Sequence, residues 1–196
     1  MNLNELYKPK ISKDIDNEIN YHFNYGAGNT QQLRNRLKKF GWIYLDEGVY
    51  SSVWGNVKKS YILKINKVPD RAFDHYVNII KKSKNPHFPK ISDMREIAIG
   101  PKIYCAYLIE KLFKIPGHFV GDNYSTFFNT IINADPKYSI SKLFNNHIPT
   151  IFKKQPKLVD ALCIVGSEHN NYFIDMHSGN IMQRKDGTIV ITDPYA

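Results

Sequence analysis

Cysteine is scarce in this chain, with only Cys105 and Cys163 among 196 residues. Each lies in an apolar periodic segment, which argues against a disulfide framework and for buried thiols in a reducing compartment. No Cys/His grouping has zinc-ligand spacing. Nowhere do eighteen apolar residues run together, and the opening MNLNELYKPK has no apolar leader core. A membrane-spanning helix and a secretory signal are therefore not expected, and the expected location is cytoplasmic. Acidic residues are also short, 18 against 27 Lys and Arg, for a formal charge of +9. Such a balance can serve nucleic acid, nucleotide phosphates or an acidic protein. The lysines, however, are scattered among Asn, Ile and Tyr, and neither an RNA-binding aromatic signature nor a Cys₂His₂ pattern occurs. Neither nucleic acid nor a membrane is expected as a partner.

At 42% hydrophobic the chain has enough apolar residues for one domain, or for two small lobes sharing a cleft. Its most informative stretch is YFIDMHSGNIMQRKDGTIVITDPYA, residues 172–196. Two apolar-rich runs, 180–184 and 188–193, flank Lys185-Asp186-Gly187, and an Asp-Gly pair between β-prone runs predicts a hairpin. Placing Asp186 and Gly187 at the centre of a two-residue type I′ turn sets Asn180 directly across from Asp193. Opposed side chains of that kind lie about 4.5–5.5 Å apart at Cβ, near enough for an amide oxygen and a carboxylate to hold one cation. Two hard oxygen ligands suit Mg²⁺, which leaves its remaining positions to phosphate and water. Asp175, five residues before Asn180 and eighteen before Asp193, brings a further carboxylate to the same loop. Asp-x-x-x-x-Asn, a strand, a turn, a strand and a second Asp is the layout of kinase-type phosphoryl transfer. There the first Asp orients the attacking hydroxyl and takes its proton, while the Asn and second Asp hold the metal. A metal site of Asp175, His177 and Asp193 is an alternative use of the same residues.

Upstream, residues 13–24 suggest a short helix broken at Gly26-Ala27-Gly28. QQLRNRLKKF predicts a helix capped by Asn29 or Thr30, with Leu33, Leu37 and Phe40 on one face and Gly41 just past its end. WIYLDEGVYSSVWGNVKKSYILKIN predicts three antiparallel strands broken at 46–48 and 56–60. Centring the second turn on Lys58-Lys59 sets Val53 across from Lys64, so that Val53 can cover a base and Lys64 can reach phosphates. A lysine within such a strand needs an anionic partner if its face is buried. The glycine-bearing first turn, at Gly48, can bring backbone N–H groups to an anion or simply close a hairpin. Residues 70–82 predict a helix with Phe73, Val77 and Ile80 inward. ISDMREIAI, a Gly100-Pro101 turn and KIYCAYLIEKL predict another hairpin. Helices are expected at 122–132, 139–146 and 156–167, the last with Leu158, Leu162 and Val165 facing a core.

With these residues in place, the chain resembles the protein-kinase-like superfamily, and most closely the early serine/threonine kinases of T7-type bacteriophages. FIDMHSGNIM and ITDP are the specific matches; LDEGVYSSVWG, YILKI and AYLIEKL follow in the order that the family would have them, over about residues 30–196. The resemblance implies an α+β, protein-kinase-like fold. An N-terminal antiparallel sheet lobe, residues 1–112, would precede a truncated helical C-terminal lobe, 113–196, carrying the catalytic hairpin. It implies Asp175 as catalytic base, Asn180 and Asp193 as Mg²⁺ ligands, and Lys64 on the α/β-phosphates of ATP. Gly48 and Ser51 would belong to the nucleotide loop, Val53 would cover the base, and Glu110 to Leu112 would form the adenine hinge. The partners implied are host proteins, phosphorylated or inhibited in the host cytoplasm.

Several residues depart from the pattern. Asp46 and Ser51 stand where loop glycines would be, and His177 stands where protein kinases carry lysine, as in small-molecule phosphotransferases of the superfamily. The helix position for the lysine's glutamate partner falls near Tyr76, with Asp74 the nearest acid. The sequence stops three residues after Asp193, without an activation segment, so peptide recognition is expected from the 113–156 insert or from a partner chain. Three readings follow: a minimal phage kinase, a catalytically weak kinase-like inhibitor of a host protein, and a small-molecule phosphotransferase.

Overall fold

The computed structural model describes residues 9–25, 30–115, 154–168, 171–177 and 179–196. The architecture is mixed α and β, with four helices and eight strands among the described residues. The chain forms two compact units, one of residues 1–71 and 90–111, the other of 72–89 and 112–196. The second boundary falls between Lys111 and Leu112, and 72–89 belongs to the second unit. The helices expected at 122–132 and 139–146 lie outside the described residues, as does the 26–28 break.

In the first unit, α1 (Lys13–Tyr25) and α2 (Thr30–Lys38) precede β1 (Ile43–Glu47), β2 (Ser51–Gly55) and β3 (Tyr61–Asn66). After α3 (Arg71–Lys82), which belongs to the second unit from Ala72 on, come β4 (Ile91–Ile99) and β5 (Lys102–Glu110). The five strands form one antiparallel sheet in the order β1-β2-β3-β5-β4. Opposed residues share a face of a sheet, and successive residues alternate. Trp54, Leu63, Ile65, Ala106, Leu108 and Ile97 therefore line one face, and they pack with Ile15, Ile19, Leu33 and Leu37 from the two helices. Val53, Lys64, Asn66 and Tyr107 fall on the other face.

The turns explain the registers. Gly100, at φ +56°, closes the β4–β5 hairpin where the sequence predicted. After Gly55, Asn56 accepts the Lys58 N–H at 3.0 Å with Oδ1 and the Lys59 N–H at 3.1 Å with its carbonyl. That turn yields the predicted pairing of Val53 with Lys64. The break between β1 and β2 falls at 48–50, not 46–48. Helix α2 ends in a Schellman motif: Gly41, at φ +77°, donates to Lys38 O at 3.0 Å and Trp42 donates to Leu37 O at 3.2 Å. This reversal puts Trp42 in the core and leaves Phe40, expected there, 38% exposed.

The second unit holds α3, the short β6 (Phe113–Lys114), α4 (Lys157–Gly166), β7 (Ile181–Gln183) and β8 (Ile189–Ile191). Its three strands pair in the order β6-β7-β8. Leu158, Leu162 and Val165 are fully buried, as the helix pattern of α4 predicted, together with Phe73, Tyr76 and Val77 of α3.

The Schellman end predicts contrasting stabilities. Leu37→Ala should cost about 2–5 kcal/mol in urea unfolding, whereas Phe40→Ala should stay within about 0.5–1 kcal/mol. Equal costs would contradict the observed helix end.

Candidate active site

The hairpin loop closed by Arg184 and Thr188 has three residues, 185–187, not two. Gly187 donates to Arg184 O at 3.0 Å and adopts φ +83°, while Arg184 N–H donates to Thr188 O at 2.9 Å. This is a turn followed by a left-handed glycine, the usual three-residue hairpin loop. Asp186 Oδ1 accepts the Thr188 N–H at 2.9 Å, which closes the loop from the inside. The register consequently shifts by one: Ile181 faces Ile191, and Asn180 meets Thr192 instead of Asp193, through Thr192 N–H to Asn180 O at 2.8 Å. The predicted direct opposition of Asn180 and Asp193 is thus corrected to a one-residue offset.

Asp175 and Asn180 are nevertheless joined. The Asn180 side-chain amide donates to Asp175 O at 2.7 Å, which spends its nitrogen and leaves Oδ1 as its acceptor. The Asn180 N–H donates to His177 O at 2.9 Å. The loop is tied to the chain around Asp193: Asp175 N–H donates to Pro194 O at 2.8 Å, Ile174 bridges Tyr195, and Ala196 N–H donates to Phe173 O at 2.9 Å. Asp193 thus stands between Thr192, bonded to Asn180, and Pro194, bonded to Asp175. Backbone geometry therefore brings the three predicted residues onto adjoining segments. The Asp175 side chain is 41% exposed, and His177 Nε2 lies 3.6 Å from its Oδ2.

The opposite edge of β8 is closed by side chains. With Asn180–Thr192 and Arg184–Thr188 as the hydrogen-bonded pairs, Ile189 and Ile191 turn their backbone groups away from β7. All four groups have partners. Ile189 N–H donates to Gln155 Oε1 at 2.9 Å, and Ile189 O receives His87 Nδ1 at 2.7 Å. Ile191 N–H donates to His87 O at 2.9 Å, and Ile191 O receives the Tyr76 hydroxyl at 2.6 Å. Because a carbonyl only accepts, His87 carries its proton on Nδ1. Burial depresses the His87 pKa, with Arg184 adding to the effect, and the Ile189 bond opposes it. Burial raises the Tyr76 pKa well above the ordinary tyrosine value, so its hydroxyl stays a donor. The Arg184 guanidinium reaches Pro86 O, and Phe88 O at 3.0 Å.

A further cluster supports the segment before Asp175. His75 Nε2 meets Glu168 Oε2 at 3.0 Å, and its ring stacks on Tyr172 at 4.7 Å. Tyr195 packs edge-on against Tyr76 and donates its hydroxyl to Val165 O at 3.1 Å. Burial pushes the Tyr195 pKa up. His75, His87 and Tyr76 were not singled out as structural anchors by sequence. Their partners lie about a hundred residues away, and no spacing rule signals such a contact.

In the first unit, Lys64 is 6% exposed and faces Val53 on one side and Tyr107 on the other. The condition attached to it, a buried face, is met. Gly48 spends its N–H on Ser51 O at 2.9 Å, and Ser51 itself is buried opposite Asn66. Glu110 binds the Lys90 N–H through Oε1 at 2.8 Å and donates its own N–H to Lys90 O at 2.9 Å. Leu112 is half-buried and starts the next stretch of the second unit. Tyr76, at the position considered for the lysine's acidic partner, is instead committed to Ile191.

The donor set limits the metal chemistry. Among the described residues no three His, Cys, Asp or Glu side chains converge to hold a metal, so the Asp175/His177/Asp193 alternative is not formed. One carboxylate with the Asn180 oxygen remains compatible with Mg²⁺, which draws its other ligands from phosphate and water. Among the described residues no helix is long and apolar enough to cross a membrane.

The buried His87 generates a pH prediction. Its folded pKa lies below the free value of 6.5, so the unfolded chain takes up the proton first and the stability falls as the pH drops below that value. The stability difference between wild type and His87→Asn should therefore shrink from pH 7.5 to pH 5 in urea titrations. A difference that holds constant or grows would contradict the neutral, buried assignment.

No protein-family model matches the chain, and no curated protein matches it. Among solved structures it is similar to that of a streptomycin-ATP-APH(2")-IIa ternary complex. The identity is 15%, the match covers 87% of this chain and 70% of that one, and the TM-score is 0.34. A likeness of that size carries no weight on substrate or mechanism.

Proposed function

We propose that the chain is an ATP-dependent phosphotransferase that phosphorylates serine or threonine of host proteins, in the manner of the phage kinases its motifs resemble. The observation that supports it is the backbone-tied loop of Asp175 and Asn180 beside Asp193. In this reading the Asp175 carboxylate accepts the proton of the attacking hydroxyl, and Asn180 Oδ1 and Asp193 take Mg²⁺. When bound, the ion would neutralise charge on the nucleotide phosphates. Lys64 would contact the α/β-phosphates, with Val53 over the base and Glu110 to Leu112 beside it. Gly48 and Ser51 would form the nucleotide loop through their side of the sheet, since the Gly48 N–H is used within the turn.

A second reading, transfer to a small molecule, is favoured by one residue: His177 stands where protein kinases carry lysine. Binding and inhibition of a host protein without chemistry is the third. Incubation with γ-labelled ATP, Mg²⁺ and either a bacterial lysate or a panel of hydroxyl-bearing small molecules separates them. Label on lysate proteins is the expected result. Asp175→Ala should lower the transfer rate about 10²–10⁴-fold, the usual worth of a general base, and Asp193→Ala should abolish Mg²⁺-dependent binding of ATP by thermal shift. Label only on a small molecule would select the second reading. A wild-type protein that neither binds nucleotide nor transfers label would overturn both phosphotransferase readings.

A further inference from the structure

We propose that His177 is held by Gly179 as its Nε2–H tautomer and acts as the positioning residue for the Asp175 carboxylate; this rests on the reading of Asp175 as the base. The Gly179 N–H donates to His177 Nδ1 at 3.0 Å. A ring nitrogen that accepts a hydrogen bond carries no proton, so the neutral ring bears its proton on Nε2. That nitrogen is the one turned to Asp175, 3.6 Å from Oδ2. Asn180 N–H to His177 O, at 2.9 Å, fixes the backbone from which the ring projects.

Glycine at 179 leaves room for the ring in this position. A Cβ there would lie 2.7 Å from His177 Cε1 and 3.0 Å from Nδ1. A side chain there would push the ring from this position and weaken the bond that sets its tautomer. A carboxylate turns easily about its last bond and offers two equivalent oxygens. A donor facing Oδ2 would restrict that freedom and favour Oδ1 for the proton of the attacking hydroxyl. Holding a catalytic group in one orientation is a recognised source of rate, and small misplacements cost up to about 10²-fold.

The test combines ¹⁵N spectra of the histidine rings with kinetics, at a pH where the rings are neutral. His177 is assigned among the seven histidines by the signal lost in His177→Asn. The expected wild-type spectrum has a pyridine-type Nδ1 and a pyrrole-type Nε2. Gly179→Ala should mix the tautomers and lower kcat on the order of 10- to 100-fold with the KM for ATP unchanged. His177→Asn keeps an acceptor for Gly179 but has no donor at the Nε2 position, and it should lose kcat similarly. His177→Gln, whose amide nitrogen can occupy that position, should recover part of the loss. An active wild type with its proton on Nδ1 would overturn the inference, as would a His177→Asn variant with full kcat. A wild type without turnover would overturn the reading of Asp175 as base and this role with it.

Discussion

The second unit depends on the satisfaction of both edges of one three-residue strand. Ile189, Val190 and Ile191 are all buried, and a buried backbone group without a partner costs about 1–3 kcal/mol. One edge is met by β7. The other has no neighbouring strand among the described residues, and its four groups are met by Gln155, by both the ring and the carbonyl of His87, and by Tyr76. These partners come from α3, from the segment that follows it and from the approach to α4. Their joint commitment to β8 explains why 72–89 folds with the second unit although strands of the first unit flank it in sequence.

From that strand the site follows directly. Thr192 continues β8 into the bond with Asn180, and Pro194 continues it into the bond with Asp175. The Asp175–Asn180 loop is therefore placed by main-chain hydrogen bonds to the same short segment that carries Asp193. Placement by backbone is stiffer than placement by long side chains. His75, Glu168 and the Tyr172–Tyr195 packing buttress the residues on either side of this segment. Lys64 is held in a different way, by five antiparallel strands whose other face is packed by α1 and α2.

Much of this was legible in the sequence where alternation and turn chemistry agreed. The Val53–Lys64 pairing followed from a turn rich in Asn and Lys between clear strands, and the Gly100-Pro101 hairpin from its turn residues. The C-terminal hairpin was found but misregistered by one residue. Asp186-Gly187 fits a two-residue and a three-residue loop equally well by composition. Ile-Val-Ile, buried on both faces, has no alternation to decide between them. Phe40 was misplaced because the Schellman reversal at Gly41 carries Trp42 into the core, a swap that helical periodicity does not encode. The edge partners His87, Tyr76 and Gln155 could not be read at all, because long-range capping leaves no local pattern.

The central claim is that the Asp175–Asn180 loop is preorganised by its backbone bonds to the β8 segment. Amide hydrogen exchange on the nucleotide-free protein tests it most directly. Strong protection is predicted at Asp175, Asn180, Ile191 and Thr192, whose N–H groups donate to the backbone carbonyls of Pro194, His177, His87 and Asn180 respectively. Exchange of the Asp175 and Thr192 amides at the rate of an unstructured chain would contradict the account.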